Sequence, residues 1–214
     1  QPAGDVSILK RANFLSFAQK TEAGVMFSVS HGMGAPRDGW PSPEQQRAMQ
    51  GAMSFGRTPD GKLTAADLPA GAFLPGGIWF MFACFGAGTP ADSVFAHWLS
   101  TLQSAGQFGG NVAAVLSSLP KPDQPPFVAA LPQALLGNPD GPLAFIGHLD
   151  LAWTYGFQDR HTGTERDQPG RFLSVVRSLL GRHRVGVALH ELLRAQGAAE
   201  SELTMQYDAA ARDK

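Results

Sequence analysis

Three apolar runs stand out along the chain. Val25 to Ser30 ("VMFSVS") predicts a buried strand and runs straight into His31-Gly32. "GGIWFMFAC" is a continuous apolar run bounded by glycine, the pattern of a parallel strand covered on both faces, and it delivers Cys84. "GPLAFIGHLD" predicts a third strand ending near His148 and Asp150. Between the runs the period becomes helical. "VSILKRANFLSFAQK" spaces Ile8, Ala12, Leu15 and Ala18 as one helix face, giving an N-terminal helix within residues 1–23. Pro90 suits the first turn of "PADSVFAHWLSTLQ", whose Val94, Phe95, Trp98, Leu99 and Leu102 share a face. "FVAALPQALLG" predicts a shorter helix after a Pro/Ser-rich connector from Ser117 to Pro126. Gly34 to Gln50 reads as a loop, "GAMSFG" as a short strand or hairpin arm, and "TAADL" as a brief helix capped by Thr64. Residues 158–214 read as C-terminal helices broken near Gly181, with a charged tail. Apolar strands separated by helices argue for one α/β layered domain over 1–214, built on a mostly parallel sheet.

Composition narrows the partners. At 214 residues the chain can bury one substantial core. Its net charge is −1, with 17 Lys and Arg against 18 Asp and Glu, so neither nucleic acid nor an anionic membrane is the expected partner. The longest apolar stretches fall far short of the roughly 20 residues needed to cross a bilayer. A single cysteine rules out an internal disulfide and a multi-cysteine zinc site, fits a reducing, cytoplasmic setting, and leaves a candidate nucleophile. No cofactor or metal is expected. The start, "QPAGDVSILKR", has no initiator Met and no apolar signal core, and reads as a cut inside a longer protein.

In a parallel sheet, ligands and catalysis sit at the carboxyl ends of the strands, where His31 and Cys84 both fall. On neighbouring strands the two would stand roughly 5 Å apart along the sheet. A thiol is only a few per cent thiolate near neutral pH, and an imidazole beside it raises its nucleophilicity. The amide N–H groups of Gly32, which has no side chain in the way, and of Cys84 could together hold an oxyanion. Taken alone, Cys84 reads as a buried inert cysteine, and the pairing with His31 reverses that. His148 ends a strand without a following glycine and reads as a substrate-cleft or core histidine; His97 reads as structural. "HELLR" at His190 lacks the second histidine of H-E-x-x-H. Gly86, Gly88 and Ala91 fit G-x-G-x-x-A, but the acidic residue expected roughly 20 positions on is missing. For a substrate pocket the candidates are His148, Asp150 and Trp153 around the third strand's end, and Asp92 in the first turn of the helix after Cys84. A carboxylate there would select Lys or Arg, and the indole would form a wall. For Asp92, a charge favoured by the helix dipole is an equal reading.

"FSVSHGMG", then "LTAADL", then "FMFACFGAGTP", in this order, resemble the caspase-like cysteine peptidases, in particular the bacterial branch that includes CHAT domains and gingipain-type enzymes. The resemblance covers Val25 to Phe157, with "GPLAFIGHLDLAWTYGF" similar to the family's next strand beside the substrate cleft. It implies a three-layer α/β/α sandwich, His31-Gly32 as the catalytic His-Gly and Ala83-Cys84 as the nucleophile motif. Two strands usually precede the histidine strand in that family, where this chain has a helix-like stretch. The resemblance therefore implies that those first strands lie upstream of Gln1 or that another segment replaces them. The expected function is a cysteine endopeptidase acting on polypeptides, with other domains or an upstream segment of the same protein as partner. The alternatives are an inactive domain of the same fold that binds proteins, and a nucleotide-binding α/β module.

Overall fold

The three apolar runs pair side by side, all parallel, and helices between and before them pack onto a face of the sheet they form. The structure, a computed structural model, describes residues 10–36, 39–56, 58, 61–107, 111–120, 124–153, 158–159, 166–167 and 169–212. In chain order the elements are α1 (Arg11–Lys20), β1 (Val25–Val29), α2 (Pro43–Met49), β2 (Met53–Ser54), β3 (Lys62–Leu63), a 3-10 turn (Ala65–Asp67), β4 (Ile78–Phe82), β5 (Gly88–Thr89), α3 (Ala96–Ser104), α4 (Val112–Ser118), β6 (Phe127–Val128), α5 (Ala130–Leu136), β7 (Ala144–Gly147), β8 (Gln158–Asp159), β9 (Arg166–Asp167), α6 (Gly170–Leu180) and α7 (Val185–Arg212). Two compact units result, Gln1–Trp153 and Thr154–Lys214. The first is an α/β unit, and the second holds the short β8–β9 hairpin and the packed helix pair α6 and α7. No described helix is long and apolar enough to cross a membrane.

The sheet order is β1-β4-β7, with Val29 opposite Phe82 at one seam and Ile78 opposite Ala144 at the other. β4 is central because it alone is apolar at every position, and Trp79 to Phe82 are all buried. One sheet face carries Met26, Trp79, Met81 and Phe145 into a core with Phe14 and Ala18 of α1, Leu131 and Leu135 of α5, and Phe73 and Leu74. Trp79, 0% exposed, lies at that core's centre, its ring 5.4 Å from Phe14, 5.6 Å from Phe73 and 5.3 Å from Phe145. Its indole N–H donates to the Ser28 hydroxyl at 2.9 Å, which explains a polar residue inside β1. The opposite face presents Phe80 and Phe82, also buried, with Phe27 edge-on to Phe80 at 5.1 Å.

Thr64 opens the 3-10 turn as its capping residue, and Asp67 accepts from both its amide (2.9 Å) and its hydroxyl (2.7 Å). Arg11 then ties α1 to this turn through Asp67 (2.7 Å) and the Lys62 carbonyl (2.9 Å).

Several expectations need correction. Gly34 to Gln50 is not all loop: Ser42 accepts from the Gln45 amide and Pro43 sits at the first position of α2. The helix expected from Pro90 begins at Ala96, because Gly88–Thr89 pairs with Phe127–Val128 and the chain must bend before it can coil. Asp92 consequently lies in that bend, outside the first helical turn. Phe127 and Val128 belong to β6 rather than to the helix after it. The C-terminal region does break between α6 and α7, after Leu180, but β8 and β9 precede these helices. The N-terminal helix runs over Arg11–Lys20, and residues 1–9 lie outside the described set.

Two outcomes are expected. Trp79→Ala should lower unfolding free energy by about 3–5 kcal/mol in urea titrations, and Ser28→Ala by about 1–3 kcal/mol, since it strands a buried indole N–H. Burial works against the Asp67 carboxylate, but the Thr64 amide and hydroxyl and the Arg11 guanidinium outweigh it and hold its pKa below the usual range. Its contribution to stability is therefore complete above the unfolded value of about 3.9 and is lost as pH falls through the lower folded one. The stability gap between wild type and Asp67→Asn should be present near neutral pH and shrink in acid; a gap of equal size at both would contradict this.

Candidate functional site

His31 and Cys84 each lie two residues past the last paired positions of β1 and β4, Val29 and Phe82. Parallel register thus brings both to the carboxyl end of the sheet on adjacent strands. The ladder reaches one step further, with the Ser30 amide donating to the Phe82 carbonyl at 3.1 Å, and then stops.

Past the end of the ladder the two backbones press directly against each other. A Cβ placed on Gly32 would lie 1.8 Å from the Cys84 carbonyl oxygen, so only glycine fits beside the nucleophile candidate. Gly51, at φ +82°, does the same one residue on, where a Cβ would meet the Phe85 carbonyl at 2.1 Å. The two glycines are bridged: Met33 donates to Ala52 and Gly51 to Met33, both at 2.9 Å, and Ser54 donates to the His31 carbonyl at 2.9 Å. Phe85 takes φ +56°, turning the chain sharply after Cys84 so that the Gly86 amide donates back to Ala83 at 3.2 Å.

The segment after β7 closes the other side. Ala87 donates to the His148 carbonyl and Phe85 to the Asp150 carbonyl, each at 2.9 Å. The Cys84 thiol donates to the Ala152 carbonyl at 3.6 Å and its sulfur accepts from the Ala152 amide at 3.3 Å. Burial pushes the thiol pKa up and the Asp150 carboxylate adds to the rise, while the amides of Ala152, Cys84 and Gly32 oppose it. The Gly32 backbone lies directly against that of Cys84, and among the described residues the amides of Gly32 and Cys84 donate to no backbone carbonyl.

The remaining candidates are dispersed around this contact. The His31 ring is exposed and makes no hydrogen bond among the described residues, so the thiol is engaged by Ala152 and not by the imidazole. His148 is half-buried, edge-on to Phe82 at 4.6 Å; its Nδ1 is buried without a hydrogen-bond partner, and burial lowers its pKa and keeps it neutral. Trp153 meets Phe95 and Trp98 at 6.0 Å each and joins Cys84, Phe85, Leu99 and Leu151 in an apolar cluster under α3 and α4. Asp92 is exposed. Asp150 directs its carboxylate at this chain itself: Oδ1 accepts from Ser93 Oγ (3.1 Å) and the Leu151 amide (2.7 Å), and Oδ2 from the Val94 amide (3.2 Å).

Gly51 was not legible as a site residue, since nothing in the pattern around it says that its backbone will touch Phe85. Ala152 acts through its main chain alone, which no residue type announces. The G-x-G-x-x-A run at Gly86, Gly88 and Ala91 is accounted for structurally: Gly88 lies in β5 against Phe127 and Val128, and no helix starts until Ala96, so the glycine turn into a helix that a dinucleotide site requires is not formed. Among the described residues no cluster of His, Cys, Asp and Glu is placed to hold a metal ion. The chain matches no protein-family model, and neither a curated protein nor a solved structure matches it, so its own geometry carries the functional reading.

Proposed function

We propose that this chain is a caspase-like cysteine peptidase, a three-layer α/β/α domain in which Cys84 attacks peptide carbonyls and His31 shuttles the proton. One observation carries the reading: at the carboxyl ends of two adjacent parallel strands, the Gly32 backbone after His31 lies directly against that of Cys84, the one cysteine of the chain, and the amides of both have no carbonyl partner among the described residues. Two such donors beside a nucleophile are what a developing oxyanion would need. The burial of Phe80 and Phe82 on the second sheet face supports the third layer.

The chemistry runs from the resting geometry. Because the thiol is buried and its pKa is raised, it is protonated at neutral pH, and His31 serves as a general base and not as half of a standing ion pair. The imidazole turns inward and replaces the Ala152 carbonyl as acceptor of the thiol proton while sulfur bonds to the scissile carbon. The carbonyl oxygen takes the negative charge between the Gly32 and Cys84 amides. The tetrahedral species collapses, the C–N bond breaks, and the imidazolium gives its proton to the leaving amine. Water, deprotonated by His31, then cleaves the thioester, releasing the new carboxylate and restoring the thiol. Trp153, with Phe95 and Trp98, forms the apolar wall against which a substrate side chain would rest.

A second reading is a partner-binding domain of the same fold without turnover. It is favoured by the exposed His31 ring and by a thiol whose hydrogen bonds are both with Ala152.

A peptidyl ketone reactive toward thiols separates the two. Wild type should be labelled at Cys84 and cleave a peptide library; Cys84→Ala should do neither, and His31→Ala should lose about 100-fold to 10,000-fold in turnover, the usual weight of a general acid–base. Turnover retained in Cys84→Ala would show that another group does the chemistry.

A further inference from the structure

Asp150 makes more connections at this site than its neighbours do. Its backbone carbonyl receives the Phe85 amide and so holds the turn just after Cys84. Its carboxylate receives Ser93 Oγ and the Val94 amide, from the bend ahead of α3, together with the amide of Leu151 next to it. Two residues on, Ala152 holds the thiol by both its amide and its carbonyl. One residue therefore joins three pieces of chain around the sulfur: the turn that bears it, the loop leading into α3, and the segment after β7 that covers it. A carboxylate already engaged by three donors is poorly placed to receive a lysine or arginine from a substrate.

We propose that Asp150 is the positioning residue of the Cys84 site: its carboxylate fastens the segment after β7 to the bend before α3, and this fastening holds Ala152 against the thiol. It does not read a substrate side chain. The role rests on Cys84 being the nucleophile, but it is visible in the thiol itself. Two consequences belong to one side chain. The fastening keeps the sulfur covered, and the negative charge adds to burial, the larger cause, in raising the thiol's pKa, Asp150 being the charged group that does so among the described residues. Of the other titratable groups near the ends of these elements, His31 after β1 and Asp92 and His97 around α3 are exposed, and His148 after β7 is held neutral by burial.

The test follows iodoacetamide alkylation of Cys84 in the whole chain from about pH 6 to about pH 11, a span that brackets the ordinary thiol. Asp150→Asn removes the charge and one acceptor. Its alkylation midpoint should move to lower pH by about half a unit, a roughly threefold gain in thiolate below the midpoint. Ser93→Ala keeps the charge and removes one anchor, so its midpoint should stay while its high-pH plateau rises above that of wild type. A purely structural role would move neither midpoint selectively. Superimposable profiles for wild type and Asp150→Asn overturn the proposal. If Asp150→Asn fails to show a cooperative melt, Ser93→Ala decides, and an unchanged plateau overturns it. An Asp150→Asn protein with an unmoved profile but a raised KM confined to lysine and arginine peptides would make Asp150 a substrate contact instead. Peptide cleavage reads the other claim separately: variants that show the expected shifts beside a wild type that cleaves nothing sink the nucleophile and leave the fastening in place.

Discussion

The site depends on one contact, the backbone of Gly32 lying flush against that of Cys84. The parallel β1–β4 ladder aims the two chain ends at the same place, but a ladder alone would leave side chains between them. With no Cβ at position 32, the chain beyond His31 comes into contact with the Cys84 backbone, and Gly51 lets the next stretch of chain approach Phe85 in the same way. Both contacts are made by carbonyl oxygens of the tight turn at Cys84 and Phe85, so that turn is gripped from the β1 side by glycines and from the β7 side by hydrogen bonds to His148 and Asp150. The turn is thus held from both sides, as the proposed oxyanion pocket would require.

Electrostatically the resting site is set against ionisation. Burial and the Asp150 charge raise the thiol's pKa, and the thiol proton is held by a carbonyl, while the imidazole remains in solvent. In this resting arrangement the thiol stays protonated. The apolar cluster of Phe85, Leu99, Leu119 and Leu151 next to Cys84 contributes to that state, because desolvation penalises a thiolate more than a thiol.

Much of this layout is legible in the residues. The central strand was, because a parallel strand covered on both faces is written as an unbroken apolar run, and β4 is such a run ending on Cys84; β1, expected to be buried, is an edge strand of the three, half-buried and exposed at Val29. The cap at Thr64 was legible too, from a threonine three residues ahead of an aspartate. α2 was not: its PEQQRAM has no apolar stripe, and the helix docks through a Gln46–Gln50 side-chain bond at 2.7 Å and a Gln50 contact with the Ser118 carbonyl at 3.5 Å. The start of α3 was misplaced because pairing of Gly88 and Thr89 with a distant strand overrides a proline that locally suits a helix. The partners of Asp150 were hidden for the same reason: a carboxylate is visible in the sequence, but two of its three donors come from residues 56 and 57 positions away.

The most direct test is the crystal structure of the chain after reaction with a peptidyl ketone. The expected result is a covalent bond from Cys84 Sγ to the former ketone carbon, with its oxygen within hydrogen-bond distance of both the Gly32 and Cys84 amides and the His31 ring turned in toward the sulfur. A bond at another residue, or a Cys84 adduct whose oxygen points away from both amides, would contradict the proposed site.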